Sequence, residues 1–423
     1  MPKMILPGLK ESSSTMKNTV GLILLALLTL PGCGEGPNAC NEGNFCSIAE
    51  SGSAACVDGY EWLNPSASGD YRCIEIPGLP VLGEGNNTLA SVNLTVVGNS
   101  SDGLNVPRDL GFHPTVPGQL WVVNRADDSI VIFSNMGRDG ETTSIKKRDI
   151  FDGGSHFLAE PSAIAFGANG NFSTIHETDK ETQGPVSQGG SPFDFMGPTM
   201  WSSDLNIFNG GHSGHLDMMH NSPLGMGIAW EKDNVYWVFD GYHSSLTRYD
   251  FVEDHGPGGT IHDDGIVSRH VQGNVKRVAD VVSHLEVDQS SNLLYIADTG
   301  NNRIATLDIT SGTRGADMPL SENYDCYNVC PDYHFVDGVT FNTFVNGPSH
   351  NMTQPSGLAI FEGNIYVSDF ASGRIYAFSP EGKQLDYLET GRTSALGGME
   401  FDTDGSLYVV DTVTNEILRI QSL

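Results

Sequence analysis

Basic residues are scarce in this chain: 22 Lys and Arg stand against 52 Asp and Glu in 423 residues, a formal net charge of −30. Such a surface repels nucleic acid and anionic lipid headgroups, which argues against both as partners; it suits cationic ligands, divalent ions or a saline exterior. Long apolar runs are missing as well. The run from Val20 to Leu30 is too short to span a bilayer, and with a lysine ahead of it and small residues behind it reads as a secretory signal. No serine elbow, phosphate loop or dinucleotide fingerprint stands in a convincing context, so acyl-transfer and nucleotide chemistry have no motif to rest on.

Cysteine is sparse too, with 7 in the chain. Leu30-Pro31-Gly32-Cys33 resembles a bacterial lipobox. The resemblance implies a signal over residues 1–32, with a true start possible at Met16, then cleavage and lipidation at Cys33. It places the chain in a bacterial cell envelope, lipid-anchored to the outer membrane on its periplasmic side or at the cell surface. The other cysteines are Cys40, Cys46, Cys56, Cys73, Cys326 and Cys330, an even number that reads as disulfides in an exported protein. Pairing among the first four is open. Cys326 and Cys330 are expected to bridge and stiffen a loop, with part of a zinc site including His334 as the alternative. "CVDGYEWLNPSASGDYRC" (Cys56–Cys73) resembles the last loop of an EGF-type module. Residues 33–82 are read as a lipidated stalk that needs such staples, because so short a segment buries little apolar surface.

Glycine, by contrast, is abundant at 50 residues, which points to many turns rather than long helices. "LWVVN" (Leu120), "VYWVFD" (Val235), "LYIAD" (Leu294), "IYVSD" (Ile365) and "LYVVD" (Leu407) are β-branched and aromatic and end at Asp or Asn, as strands running into turns do. Six residues past each stop lies an aliphatic residue: Ile130, Leu246, Ile304, Ile375, Ile417. A second signature precedes each: "PRDLGF" (Pro107), "PSAIAF" (Pro161), "PLGMGI" (Pro223), "VSHLEV" (Val282), "PSGLAI" (Pro355) and "LGGMEF" (Leu396). The Pro161 unit has a degenerate second strand, "FSTIHE". Repeated small antiparallel sheets of this size predict a β-propeller. "PSGLAIFEGNIYVSDFASGRIYAFSPEGK" and "LYIADTGNNRIATLDI" closely resemble NHL repeats, over about Val92 to Leu423.

The fold expected is therefore all-β: a six-bladed NHL-type propeller over residues 85–423, after a small disulfide-rich segment. The last unit shows only three strands, and "LASVNLTVVG" (Leu89–Gly98) is expected to supply the fourth and close the ring, removing exposed edges. The Asp residues at the strand ends, Asp298, Asp369 and Asp411, are expected to accept backbone N–H groups in their turns.

Strand parity assigns second-to-third loops and blade-to-blade loops to one face, the top. His156, His176, His212, His215, His220, His243, His284 and His350 map there. His255, His262 and His334 map to the opposite face, as does His113, and His270 maps to an outer strand. The densest stretch, "HSGHLDMMHNSP", offers His212, His215, Asp217, Met218, Met219 and His220. Imidazole with thioether suits copper, and imidazole with carboxylate suits zinc. It lies beside a long insertion, Thr178–Pro198, that reads as a lid. His284 opens an innermost strand, and its counterparts are read as Asp109, Ala163, Gly225, Gly357 and Gly398; the mostly small set leaves a polar centre of one His and one Asp. Arg108 would orient an anionic group. "FDTDGSLY" (Phe401–Tyr408) resembles the start of a calcium loop but lacks its downstream Glu, which favours a hairpin turn.

Two classes of function follow. The first is a lipid-anchored module whose top-face loops bind a protein, peptide or glycan. The second is a metal-dependent lyase or hydrolase. NHL-like propellers include peptidylglycine amidating lyase, and that resemblance implies a central zinc on His284, His220 and His350, with His243 and His176 as further candidates and Arg108 and Asp109 in catalysis. The Glu/Asn/Asp set of calcium-dependent lactonases is not found. A third reading is copper held by His212, His215, Met218 and Met219.

Overall fold

In a computed structural model the structure describes residues 46–48, 54–56, 60–63, 72–75, 78–148, 157–178, 180–181, 184–185, 196–208, 214–326 and 329–423. Cys33, Cys40, His156, His212 and most of Thr178–Pro198 lie outside them. Contacts divide the chain into two units, Met1–Glu75 and Ile76–Leu423.

In the second unit, six antiparallel sheets follow one another. Blade 1 holds Pro107–Phe112, Leu120–Asn124, Ser129–Ser134 and Thr143–Arg148. Blade 2 holds Pro161–Phe166, Asn171–His176, Met196–Ser202 and His215–His220. Gly225–Lys232, Val235–Asp240, Ser245–Asp250 and Ile266–His270 make blade 3. Leu285–Asp288, Leu293–Asp298, Arg303–Asp308 and Phe341–Asn346 make blade 4. Blade 5 is the meander Pro355–Phe361, Asn364–Asp369, Arg374–Phe378 and Gln384–Glu389. Blade 6 takes Leu396–Phe401, Leu407–Asp411 and Glu416–Ser422 from the carboxyl end and Val92–Gly98 from before blade 1. Its two last strands pair antiparallel, Val96 opposite Leu418 and Leu94 opposite Ile420. Each innermost strand touches the innermost strands of both neighbouring blades, blade 6 against blade 1 included, so the ring closes. The protein is a six-bladed β-propeller, and the expected closing strand is in place.

The repeated aromatic of each second strand explains the stacking. Trp121, Tyr236, Tyr295, Tyr366 and Tyr408 are buried and pack into clusters that join adjacent blades, as Tyr408 joins Leu110 and Val122 of blade 1 to Val410 of blade 6. Strands covered on both faces need apolar residues at every position rather than at alternate ones. The Asp or Asn at the strand end then binds two segments. Asp411 accepts from the turn amides of Val413 and Thr414 (3.0 and 2.8 Å). Asp369 accepts from the turn amide of Ser372 (3.1 Å) and also from Thr353 N (3.0 Å), and Asp298 accepts from Lys276 N (2.8 Å), which ties the preceding blade connection to the turn.

Blade 3 is widened. A hairpin inserted into blade 4, Thr313–Asp317 with Asp332–Asp337, adds in parallel to Ile266–His270. The Cys326–Cys330 disulfide closes its tip, so these thiols are not zinc ligands, and His334 Nε2 lies 3.1 Å from Ser268 Oγ instead. Asp402–Ser406 is a hairpin turn, with Asp402 N donating to Ser406 O (2.9 Å). In the first unit Cys56 pairs with Cys73, Cys46 is also disulfide-bonded, and Tyr60–Trp62 pairs with Cys73–Glu75. Among the described residues no helix is long and apolar enough to cross a membrane.

Candidate functional site

The innermost strands set the site, because residues two apart on a strand share a face. Aligned by pairing to their second strands, one ring of axis-facing positions holds Asp109, Ala163, Gly227, His284, Gly357 and Gly398. The blade 3 member is Gly227 and not Gly225. Gly225 stands opposite the strand-end Asp240 as Pro107, Pro161, Pro355 and Leu396 stand opposite the ends of their second strands, so Pro223 lies two residues before the place the other signatures start from. Asp109 and His284 meet across the axis, Oδ1 to Nδ1 at 3.5 Å. A Cβ on Gly398 would overlap Asp109 and sit 2.6 Å from His284 Cε1, so glycine there is a packing requirement. His284 Nε2 lies 3.4 Å from the Ser162 carbonyl; donating there leaves Nδ1 as an acceptor toward Asp109. Burial pushes Asp109 up to about 7, against the lowering effect of amides from Ile164 and Leu110. Burial likewise pushes His284 down to about 4. Both shifts favour a neutral pair, with the Asp109 proton directed at Nδ1.

The ring two residues further holds Gly111, Ala165, Ala229, Glu286, Ala359 and Glu400. Four small residues leave a chamber of about 230 Å³, bounded by the Asp109–His284 pair and lined further out by Phe166 and Trp230. Glu286 and Glu400 stand in it. Burial, then the Asp109 charge, raises Glu400 to about 8. Burial, then Glu400 and Asp109, raises Glu286 well above the ordinary range. No lysine or arginine among the described residues pairs with either glutamate or with Asp109. The chamber extends toward the carboxyl ends of the innermost strands, where Phe112, Phe166 and Gln289 line it, the face opposite the one where the loop assignment expects a ligand. On that other side, Arg108 Nη2 lies 2.9 Å from Glu177 Oε2 and its Nη1 donates to the Asp280 carbonyl (2.6 Å). Its guanidinium is occupied by the chain's own groups.

Glu286 and Glu400 escape a sequence search for a lactonase-type set, yet they carry a signal: each lies two residues past a position already aligned to the axis. The histidines expected at a central zinc, in contrast, do not converge. His284 is on the axis. His220 Nδ1 is 2.6 Å from Asp325, which also accepts from Tyr333. His243 Nδ1 is 2.7 Å from Asp240, His350 Nδ1 is 2.8 Å from Gln384, and His176 Nδ1 is 3.1 Å from Gly197 O. "HLDMMH" is an outer strand rather than a connection, so His215 sits at its far end from the top. Alternation puts Met218 and Met219 on opposite faces, buried in two different clusters; they do not form a thioether pair.

The sequence matches no family model and no curated protein. Several solved structures share its architecture at low identity. A structural genomics protein of unknown function from Bacteroides thetaiotaomicron has 11% identity and a TM-score of 0.49, over 78% of this chain and 76% of that one. Virginiamycin B lyase from Staphylococcus aureus has 11% identity and 0.45, over 78% and 100%. An auxiliary nutrient binding protein from Bacteroides ovatus has 12% identity and 0.46, over 78% and 76%. What those proteins bind or act on is a property of their own sites.

Proposed function

We propose that this propeller is a binding module whose axial chamber takes a small cationic ligand, an organic ammonium. The observation that supports it is the placing of Asp109, Glu286 and Glu400 around one chamber with no lysine or arginine partner among the described residues. Burying carboxylates without a counter-charge is unfavourable unless they stay protonated or a cation arrives. A bare metal ion fits less well. The described residues hold one set of three ligand-bearing side chains with donor atoms within 4.8 Å of one another, and it lies elsewhere. Phe166 and Trp230 add apolar surface for the stem of an amine. A lysine side chain or amino terminus of a peptide carries the same group. The same proposal takes the chain to be exported and lipid-anchored at Cys33, with NHL-type repeats and an EGF-like segment ahead of them, on the strength of the motifs "LPGC", "LYIADTGNNRIATLDI" and "CVDGYEWLNPSASGDYRC".

Calorimetric titration of the full chain with a series of alkyl monoamines and diamines, and with calcium chloride, tests this. An amine should bind more tightly than calcium, and Glu286→Gln with Glu400→Gln together should weaken it at least about tenfold, since charge-assisted contacts each contribute roughly 1.5–3 kcal/mol. Binding should also release protons, seen as heats that depend on the buffer. Amine binding indifferent to the double substitution would overturn the reading.

A further inference from the structure

We propose that Asp217, His255 and His262 form a divalent transition-metal site of the zinc type, where a loop of blade 3 crosses the outer strand of blade 2. The loop, residues 251–265, joins the third and fourth strands of blade 3 and is fixed to its neighbour by backbone bonds. His255 N donates to Leu216 O (3.1 Å) and Gly258 N to His215 O (3.0 Å). Two elements that are each already ordered thus bring their side chains together.

The donor geometry is that of a ligand set. One ligand atom from each of Asp217, His255 and His262 lies within 4.8 Å of the other two. His262 Nδ1 is 2.7 Å from Asp217 Oδ1, and both residues are buried. His255 Nδ1 is 2.7 Å from the Gly256 carbonyl. A carbonyl only accepts, so Nδ1 carries the proton and Nε2 carries the lone pair. That Nε2 is buried and has no hydrogen-bond partner. A second-sphere carbonyl fixing the tautomer of a histidine while its other nitrogen waits is how metal-bound imidazoles are prepared. Gly259 makes room for the ring, since a Cβ there would lie 2.6 Å from His255 Cγ. His215 packs edge-on against His255 at 5.1 Å, under Phe157 at 4.0 Å. Two imidazole nitrogens and one carboxylate oxygen are the ligands zinc takes when a fourth position is left for water or a further donor. This proposal is independent of the axial chamber.

The full chain, stripped with a chelator, is titrated with zinc chloride in competition with a chromophoric chelator. One equivalent should bind. His255→Ala and His262→Ala should each lower affinity at least about 100-fold and Asp217→Asn about tenfold, whereas His350→Ala and Glu400→Gln should leave it unchanged. Circular dichroism confirms that each variant folds, and cobalt(II) supplies a second readout: a visible d–d band in the wild type, absent from His255→Ala. Zinc affinity in the wild type no greater than in a His255→Ala/His262→Ala double variant, or lost on His350→Ala, would overturn the assignment. The Asp217–His262 contact would then be an ordinary buried hydrogen bond.

Discussion

The axial chamber and the cluster at the edge of blade 2 are built from the same side chains, carboxylates and imidazoles, yet they differ in spacing. On the axis, the carboxylates come from three different blades, Asp109 from blade 1, Glu286 from blade 4 and Glu400 from blade 6, around an open volume of about 230 Å³. At the edge, a loop crosses a strand directly, and donor atoms come within 4.8 Å. The first arrangement leaves charge uncompensated over a space the size of a small molecule. The second leaves one imidazole nitrogen, His255 Nε2, buried and without a hydrogen-bond partner in a cluster with a carboxylate and a second imidazole. Fold symmetry thus suits the axis to ligands with volume, while local insertions make ion-sized sites.

Zinc should separate the two most sharply. At free zinc about 100 times its Kd, the linkage relation gives roughly 2.7 kcal/mol of added stability. Urea midpoints with and without zinc should show it in the wild type and in Glu286→Gln, and not in His255→Ala. Next in size is Gly398→Ala. The added Cβ collides with Asp109 and His284, and forcing an atom into a packed site costs about 1–3 kcal/mol. The same urea titration should show that loss, with zinc affinity intact. If Gly398→Ala were silent, the Asp109–His284 pair would be loose and the chamber not closed at that level.

Much of this molecule is legible in its sequence because a β-branched and aromatic second strand that stops at Asp or Asn recurs in five of the six blades. "LYVVD" and "LASVNLTVVG" suffice to place both ends of the propeller in one sheet, and the register bears that out. Chemistry is harder to read for two reasons. In blade 3 the motif begins at Pro223, two residues before the position where the other blades' motifs begin, so motif alignment names Gly225 where pairing names Gly227. Contacts between distant segments leave no local pattern: nothing in "HLDMMH" says that His255 and His262 will cross it, or that Asp325 will take His220. Glu286 and Glu400 are an intermediate case, found by continuing the alternation past His284 and Gly398.

The smallest effect, and the one most specific to the chamber, is on pH dependence. Glu400 is raised to about 8 and Asp109 to about 7 by burial, and Glu286 lies well above its usual range. The folded chain therefore keeps protons that the unfolded chain releases near pH 4. Stability from these groups is whole below that unfolded value and is lost as pH climbs through 7 and 8, because the folded state then binds more protons than the unfolded one and each rise in pH favours unfolding. Glu400→Gln cannot ionise. Its stability in urea titrations should come nearest the wild type near pH 5 and exceed it at pH 8.5 by on the order of 1 kcal/mol, solvent at the half-buried carboxylate reducing the full effect of the shift. A saturating amine should remove the difference by stabilising the ionised wild type, which the glutamine variant cannot copy. Parallel curves for the two proteins would mean that water already compensates the Glu400 charge, and the chamber would then hold no uncompensated charge for a cation to meet.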